Sequence, residues 1–258
     1  MERLKAKSVK HLKSRLSICE VADGRRFYVK TALCPKRVGK KNPTWLANEV
    51  VYYEMAKIFG VAMPSAALIL VNDALGFGSE VLPGRKQLER VPEDLDKTNM
   101  SRLIRALLAD ALLMNSDRQP WNILQDKHKV LWFFDHDKAL WGDGHSVEDR
   151  GDLWRLDLRY ATSDRVYNYL ASRELNQLVW RRRNHDELRW QAEELREKSN
   201  RKTLEQARLS LPKEWLSDDL WNRAFRFLEE WWRMLTVLLT TEDGLAQITK
   251  MLKKKNLI

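Results

Sequence analysis

Apolar and polar positions change their rhythm twice along this chain. From Arg15 to Val21 the segment RLSICEV is β-like, Ala22–Arg25 carries an Asp-Gly turn signal, and Arg26–Lys30 returns as a second strand, which predicts a hairpin. Before it, Lys7–Ser14 is short, basic and hydroxyl-bearing and reads as a further strand plus a loop. A charged loop, CPKRVGKKNP, leads into TWLANEVVYYEMAKIFG, where Leu46, Val50, Tyr53 and Ile58 suggest an amphipathic helix with Thr44 as N-cap and Gly60 as stop. Pro64–Val71 and Phe77–Leu82 are strand-like runs separated by a turn-like NDALG, and Pro83–Gly84 breaks the pattern.

Beyond the break, Leu103, Ile104, Leu107, Leu108, Ala111 and Leu112 recur on one helix face. A polar loop, Asn115–Pro120, interrupts them. Two short apolar runs follow, Asn122–Gln125 and Val130–Phe134, and the four polar residues between them predict an antiparallel hairpin. From Leu153 onward the period is almost entirely helical, punctuated by Leu211-Pro212 and a loop near Gly244. The pattern predicts an α+β chain in two lobes: a β-rich one over residues 1–82 and a helical one over residues 83–258, hinged at Pro83–Gly84.

Composition narrows this picture. No apolar run approaches the length needed to cross a bilayer, and the basic start, MERLKAKSVKHLK, is followed by no signal-peptide core. Cys19 and Cys34 lack the spacing partners of a zinc site and suit a reducing compartment. A soluble, cytoplasmic protein with no membrane partner is expected. The net charge of +10 is local: residues 1–41 hold 13 Lys or Arg against 3 acidic residues, and the remainder is neutral. Such a segment attracts a nucleic acid, a polyphosphate or an acidic partner, or is simply a solvated face.

The hairpin brings candidate chemistry together. Folding at residues 126–129 places Asn122 and Asp135 at its open end, and Asp117 enters from the loop before. Two carboxylates and a carboxamide make an oxygen-rich site for a hard cation such as magnesium, with one carboxylate left to orient a nucleophile. Upstream, Lys30 closes the strand FYVK and Glu49 follows on the helix, a carboxylate able to hold a phosphate-binding lysine in place. Either residue alone is commonplace. In this order, strand Lys, helix Glu, hinge, Asp-x-x-x-x-Asn, hairpin and Asp form the parts of a kinase. The five histidines fit no metal pattern, and His136 is expected to brace the loop.

The pieces NSDRQPWNIL and LWFFDHDKAL, with FYVK, WLANEVVYYEMAKIFGVAMP and GSEVLPG upstream and LPKEWL downstream, resemble the HipA-like kinase family, in particular its compact single-domain bacterial branch. The resemblance runs from about Arg15 to about Leu239. It implies a bilobal protein-kinase-like fold and an ATP- and magnesium-dependent serine/threonine kinase. Carried over residue by residue, Asp117 is the catalytic carboxylate, Asn122 and Asp135 hold magnesium, Lys30 paired with Glu49 contacts the phosphates, and Glu80 (carbonyl) and Val81 (amide) receive the adenine. Lys13 and Ser14 stand in the phosphate-facing loop, where Lys10, His11, Lys13, Ser14 and Arg15 replace the usual glycine-containing turn; Ser14, with Ser8 behind it, is the analogue of an autophosphorylated serine. Asp137 replaces a glycine, and binds a second metal, pairs with Lys138 or Arg118, or caps the next segment.

The resemblance further implies a protein substrate bearing a Ser or Thr acceptor, and a cognate antitoxin or regulator in a toxin–antitoxin or stress module. Phosphoinositide lipid kinases share an Asp-Arg-x-x-x-Asn arrangement, so a kinase for a lipid head group or other small molecule is a second reading. A third is a weakly catalytic nucleotide-binding module whose basic N-terminus recruits nucleic acid or an acidic partner. Trp180, Arg181, Arg182, Arg183 and Trp190 suggest a nucleic-acid clamp, but acidic residues interleave with them, and Trp215, Trp221, Phe225, Leu228, Trp231, Trp232 and Leu235 fall at the spacing of a packed helix face.

Overall fold

The computed structural model describes residues 1–13, 16–31, 44–115, 117–136, 139–140, 173–254 and 256, and of Lys13, Thr44, Arg173, Glu174 and Arg182 the backbone alone. The expectations placed on Ser14, Arg15, Cys34, Asp137, Lys138 and residues 151–172, and on the side chains of Lys13 and Thr44, lie outside the described residues.

Five strands, β1 (Glu2–Lys13), β2 (Leu16–Val21), β3 (Arg26–Thr31), β4 (Ala66–Val71) and β5 (Ala74–Glu80), close into a barrel in the order β1-β2-β3-β5-β4. The predicted hairpin is β2–β3, with Leu16 opposite Lys30 and Cys19 opposite Phe27. Closure is the work of β1, which begins at Glu2 rather than near Lys7. It runs parallel to β4 through Glu2–Lys5 and antiparallel to β2 from Ala6 onward. Leu4, Ala6 and Val9 pack on the buried Cys19, Val21, Phe27, Val29, Ala67, Ile69 and Val71. A register shift between Ala6 and Ser8 puts these three out of simple alternation, so the strand pattern does not announce the barrel.

The β4–β5 turn is also tighter than NDALG. Asn72 and Asp73 alone make it, at φ 47° and 64°, a left-handed conformation that these residues tolerate, so β5 runs over residues 74–80 instead of 77–82. Within β5, a Cβ on Gly76 would lie 2.5 Å from the Lys30 carbonyl oxygen, so the close approach of β5 to β3 beside Lys30 requires glycine.

Helix α1 (Thr44–Phe59) ends where expected. Gly60 at φ 76° lets the Val61 N–H reach the Ala56 carbonyl at 2.9 Å. It is not amphipathic, however: Trp45 through Tyr52 are all buried, Asn48 and Glu49 included, because the helix packs on β5 and on later helices at once. Helix α2 (Lys97–Leu112) is capped by Asp96, whose side chain accepts from the Asn99 N–H. A single turn at Pro120–Asn122 then leads into β7 (Ile123–Gln125) and β8 (Leu131–Phe133), joined by the predicted hairpin and extended by β6 (Lys86–Gln87).

The described residues from Arg173 onward are mostly helical: α3 (Arg173–Val179), α4 (His185–Lys198), α5 (Arg201–Leu209), α6 (Asp218–Thr240) and α7 (Glu242–Lys254). Gly244 lies in the first turn of α7 rather than in a loop, and the break is at Thr241; a Cβ at Gly244 would meet the Leu238 carbonyl oxygen. The packing reading holds for Trp215, Trp221, Leu228, Trp231, Trp232 and Leu235, which are buried, with Phe225 partly buried; of the two tryptophans of the clamp reading, Trp180 is buried and Trp190 exposed. The indole N–H groups of Trp231 and Trp232 donate to the Ala111 and Leu112 carbonyls at 2.8 and 2.9 Å, satisfying the last turn of α2. One continuous core runs from α1 through α7. Among the described residues, no helix is long and apolar enough to cross a membrane.

Arg105 on α2 ties three helices, donating to the Phe59 carbonyl at 3.0 Å and to Glu194 of α4 at 3.1 and 2.5 Å. With Lys198 beside it, this contact holds the Glu194 carboxyl down to about 2. A depressed carboxylate stabilises the fold fully above its unfolded value and loses that contribution as pH falls through the folded one. Glu194→Gln is therefore expected to cost about 0.5–1 kcal/mol at pH 7, a modest figure because the pair is partly solvated. Urea unfolding should show the cost shrinking between pH 4.5 and pH 2.

Candidate active site

Lys30, at the end of β3, joins two distant segments. Its Nζ lies 2.5 Å from Glu49 Oε1 on α1 and 2.5 Å from Asp135 Oδ1 just after β8. Glu49 is almost fully buried, and its second oxygen, Oε2, accepts from the His136 N–H at 3.0 Å. One buried carboxylate thus fixes both the lysine and the Asp135–His136 backbone. Asp135 sits at φ 63°, a left-handed conformation costing a non-glycine residue roughly 1–2 kcal/mol, which its carboxylate contact with Lys30 helps to offset.

Beneath this contact lies a polar network that the sequence only hints at. Arg118 is completely buried and uses all five N–H groups: Nε and Nη2 donate to the two Asp110 oxygens at 2.8 and 3.1 Å, Nη1 donates to the Asn122 and Phe134 carbonyls at 3.0 and 2.9 Å, and Nη2 also reaches His136 Nδ1 at 2.9 Å. Asp110 Oδ1 accepts further from the Tyr52 hydroxyl and from Asn115 Nδ2, both at 2.7 Å. Burial opposes the charge on Arg118, but the neighbouring Asp110 outweighs it and holds the guanidinium above its ordinary value. Burial, aided by the Arg118 and Lys30 charges, pushes His136 well below the imidazole range. The ring is neutral, accepts at Nδ1 and stacks on Tyr52 with centroids 3.8 Å apart.

Arg118 thereby clamps both sides of the hairpin's open end. Asn122 Nδ2 donates to the Asp117 carbonyl at 2.7 Å, the Phe134 N–H to the Asn122 carbonyl at 3.3 Å, and the Asp117 N–H to Asn115 Oδ1 at 3.4 Å. Asp117, half-buried, is carried on a loop held at residues 115, 118 and 122. The carboxamide nitrogen of Asn122 being engaged, its oxygen is left for a cation. With Asp135 this gives two hard oxygen donors, which fits magnesium, an ion that keeps several waters and takes few protein ligands. Among the described residues there is no cluster of three or more His, Cys, Asp or Glu, so a site built wholly from protein carboxylates is not present there.

Lys30, Glu49, Asp135 and His136 meet directly, and Asp117 and Asn122 are joined to them through Arg118. One expectation changes. The Val81 amide, assigned to adenine, already donates to the Arg26 carbonyl at 2.7 Å, because the β3–β5 ladder continues one residue past Glu80, whose own N–H donates to Ser65. Lys10 and His11 belong to β1, with His11 Nδ1 2.8 Å from Ser17 Oγ, and Ser8 lies opposite Glu20. Sequence reasoning passed over Tyr52 and Asp110; the signal for Asp110 is an acid within the apolar run LLADALL, which demands a buried cation.

No protein-family model and no curated sequence matches the chain. Among solved structures, it is similar to the Helicobacter pylori proinflammatory kinase CtkA, with TM-score 0.63 and 11% identity over 94% of this chain and 99% of that one. Shewanella oneidensis MR-1 HipA, solved with HipB and operator DNA, matches at TM-score 0.37 and 12% identity over 87% of this chain and 61% of that one. LicA in complex with AMP matches at TM-score 0.33 and 10% identity, over 96% and 91%. The likeness to CtkA is one of fold, and it bears out the kinase fold that the sequence resemblance implies, with the β-rich part closed into a barrel.

Proposed function

We propose that this chain, which has a kinase fold, transfers the γ-phosphate of ATP to a serine or threonine hydroxyl of a protein. The observation that carries the reading is Lys30 held between Glu49 and Asp135, a cation fixed by two carboxylates at the junction of the barrel and the hairpin. Phosphoryl transfer needs placed charge more than covalent help. Lys30 supplies the positive charge for the phosphates, and Glu49 keeps it oriented and charged. Asp117 accepts the acceptor hydroxyl's proton and aims its oxygen at phosphorus. Asn122 and Asp135 would hold magnesium, which supplies charge neutralisation to the phosphates. Arg118 and neutral His136 keep these groups at fixed separation, and the Glu80 carbonyl meets the adenine. In this reading residues 1–82 and 83–258 form the two lobes around the nucleotide.

The protein acceptor, and a cognate antitoxin or regulator, come from the sequence resemblance. The test begins with nucleotide. Wild-type protein with magnesium and ATP at about 100 times Kd should gain roughly 2.7 kcal/mol of stability, and Lys30→Ala should lose most of that gain. Phosphopeptide profiling of cells expressing wild type or Asp117→Ala then identifies the acceptor: phosphoserine or phosphothreonine present only with wild type supports the protein-kinase reading. ATP turnover without any such site, and with a phosphorylated small molecule instead, would replace it by the small-molecule reading.

A further inference from the structure

The loop that carries Asp117 has a buried side and an open one. Arg118, Pro120 and Asn122 are buried, Asp117 and Gln119 are half-buried, and Trp121 is 53% exposed, the one fully exposed residue between 117 and 122. An indole so open adds little to the core. Its backbone is nevertheless fixed: the Gln87 amide donates to the Trp121 carbonyl, and the Asn122 N–H closes the turn on the Gln119 carbonyl at 2.9 Å. A large side chain is thus held out to solvent on a pinned support.

Single exposed apolar side chains are common on protein surfaces and by themselves mean nothing. Trp121 differs in its place, in the same short loop as the carboxylate assigned to the acceptor's proton. Asp117 and Trp121 are separated by at most about 14 Å of chain, and the hydrogen bond from Asn122 Nδ2 to the Asp117 carbonyl draws the ends of the loop together. An acceptor hydroxyl reaches Asp117 from solvent, and its own chain, extended at about 3.3 Å per residue, covers that span in about four residues. Tryptophan is prominent among binding hot spots because it offers a large apolar area with little rotational freedom to lose. Lys86, exposed on β6 beside Gln87, disfavours a cation over the ring and leaves an apolar group as the better occupant. We propose that Trp121 selects the acceptor by binding a large apolar side chain within about four residues of the phosphorylated serine or threonine. This specificity role rests on the protein-kinase reading and names the kind of segment that the site takes.

The test uses the full chain with magnesium, ATP and alanine-based peptides holding one central serine, in which each flanking position, out to about four on either side, is set in turn to leucine, glutamate or lysine. Wild type should favour leucine over alanine by about tenfold in kcat/KM at one or more positions. Trp121→Ala should lose that preference and Trp121→Phe should keep most of it, with nucleotide-dependent thermal stabilisation in both variants that of wild type. Indifference of wild type to leucine, a preference that survives Trp121→Ala, or a Trp121-dependent choice of lysine or glutamate would overturn this inference alone. So would loss of nucleotide stabilisation in Trp121→Ala, which would make the indole part of the nucleotide site. ATP turnover with no peptide phosphorylated would overturn the protein-kinase reading, and this inference with it.

Discussion

Arg118→Leu is expected to destabilise the protein by about 3–5 kcal/mol, because it leaves Asp110 charged, buried and without its cation. The cost has a specific structure. Arg118 and Asp110 are both fully excluded from solvent, and the pair stands on hydrogen bonds that saturate the guanidinium and load one Asp110 oxygen with three donors. Removing one member exposes the full desolvation penalty of the other. Removing both removes the penalty too, so Arg118→Leu/Asp110→Leu should be markedly more stable than the sum of the single losses predicts. Urea unfolding of the four proteins measures this coupling. Simple additivity would mean that the two side chains stabilise the fold independently, against the geometry. The double variant should nevertheless stay inactive, since the Asn122 and Phe134 carbonyls and His136 lose their common anchor.

Asp117→Asn should lower phosphoryl transfer by about 10²–10⁴-fold, the usual worth of a positioned general base. Its main-chain contacts, the N–H to Asn115 and the carbonyl from Asn122, do not involve the carboxylate and are kept in an isosteric amide. Nucleotide-dependent stabilisation should therefore survive in Asp117→Asn while being lost in Lys30→Ala. Intact mass after incubation with magnesium and ATP, together with thermal unfolding, separates the two. Turnover within tenfold of wild type in Asp117→Asn would remove this carboxylate from the chemistry.

The site's outline was legible because its parts follow local rules. A four-residue polar turn between two apolar runs sets the hairpin, the hairpin brings Asn122 beside Phe134, and Lys30 and Glu49 stand on a strand and a helix with clear signals. What escaped depends on contacts between distant residues. The barrel closes through a parallel pairing of Glu2–Lys5 with Ala67–Leu70, and the bulge after Ala6 hides the apolar phase of β1. Asp110 and Arg118 are eight residues apart, but their partnership needs Tyr52 and His136 from elsewhere in the chain. The Val81 amide looked open because its acceptor, Arg26, is far upstream.

The two indole caps on α2 bear on how this protein is made. The Ala111 and Leu112 carbonyls, just ahead of the loop that carries Asp117, receive their donors from Trp231 and Trp232. During synthesis the ribosome extends the chain by more than a hundred residues between the loop and its anchor. A nascent chain holding every residue of the candidate active site still lacks these two donors, which arrive only when α6 has emerged and docked.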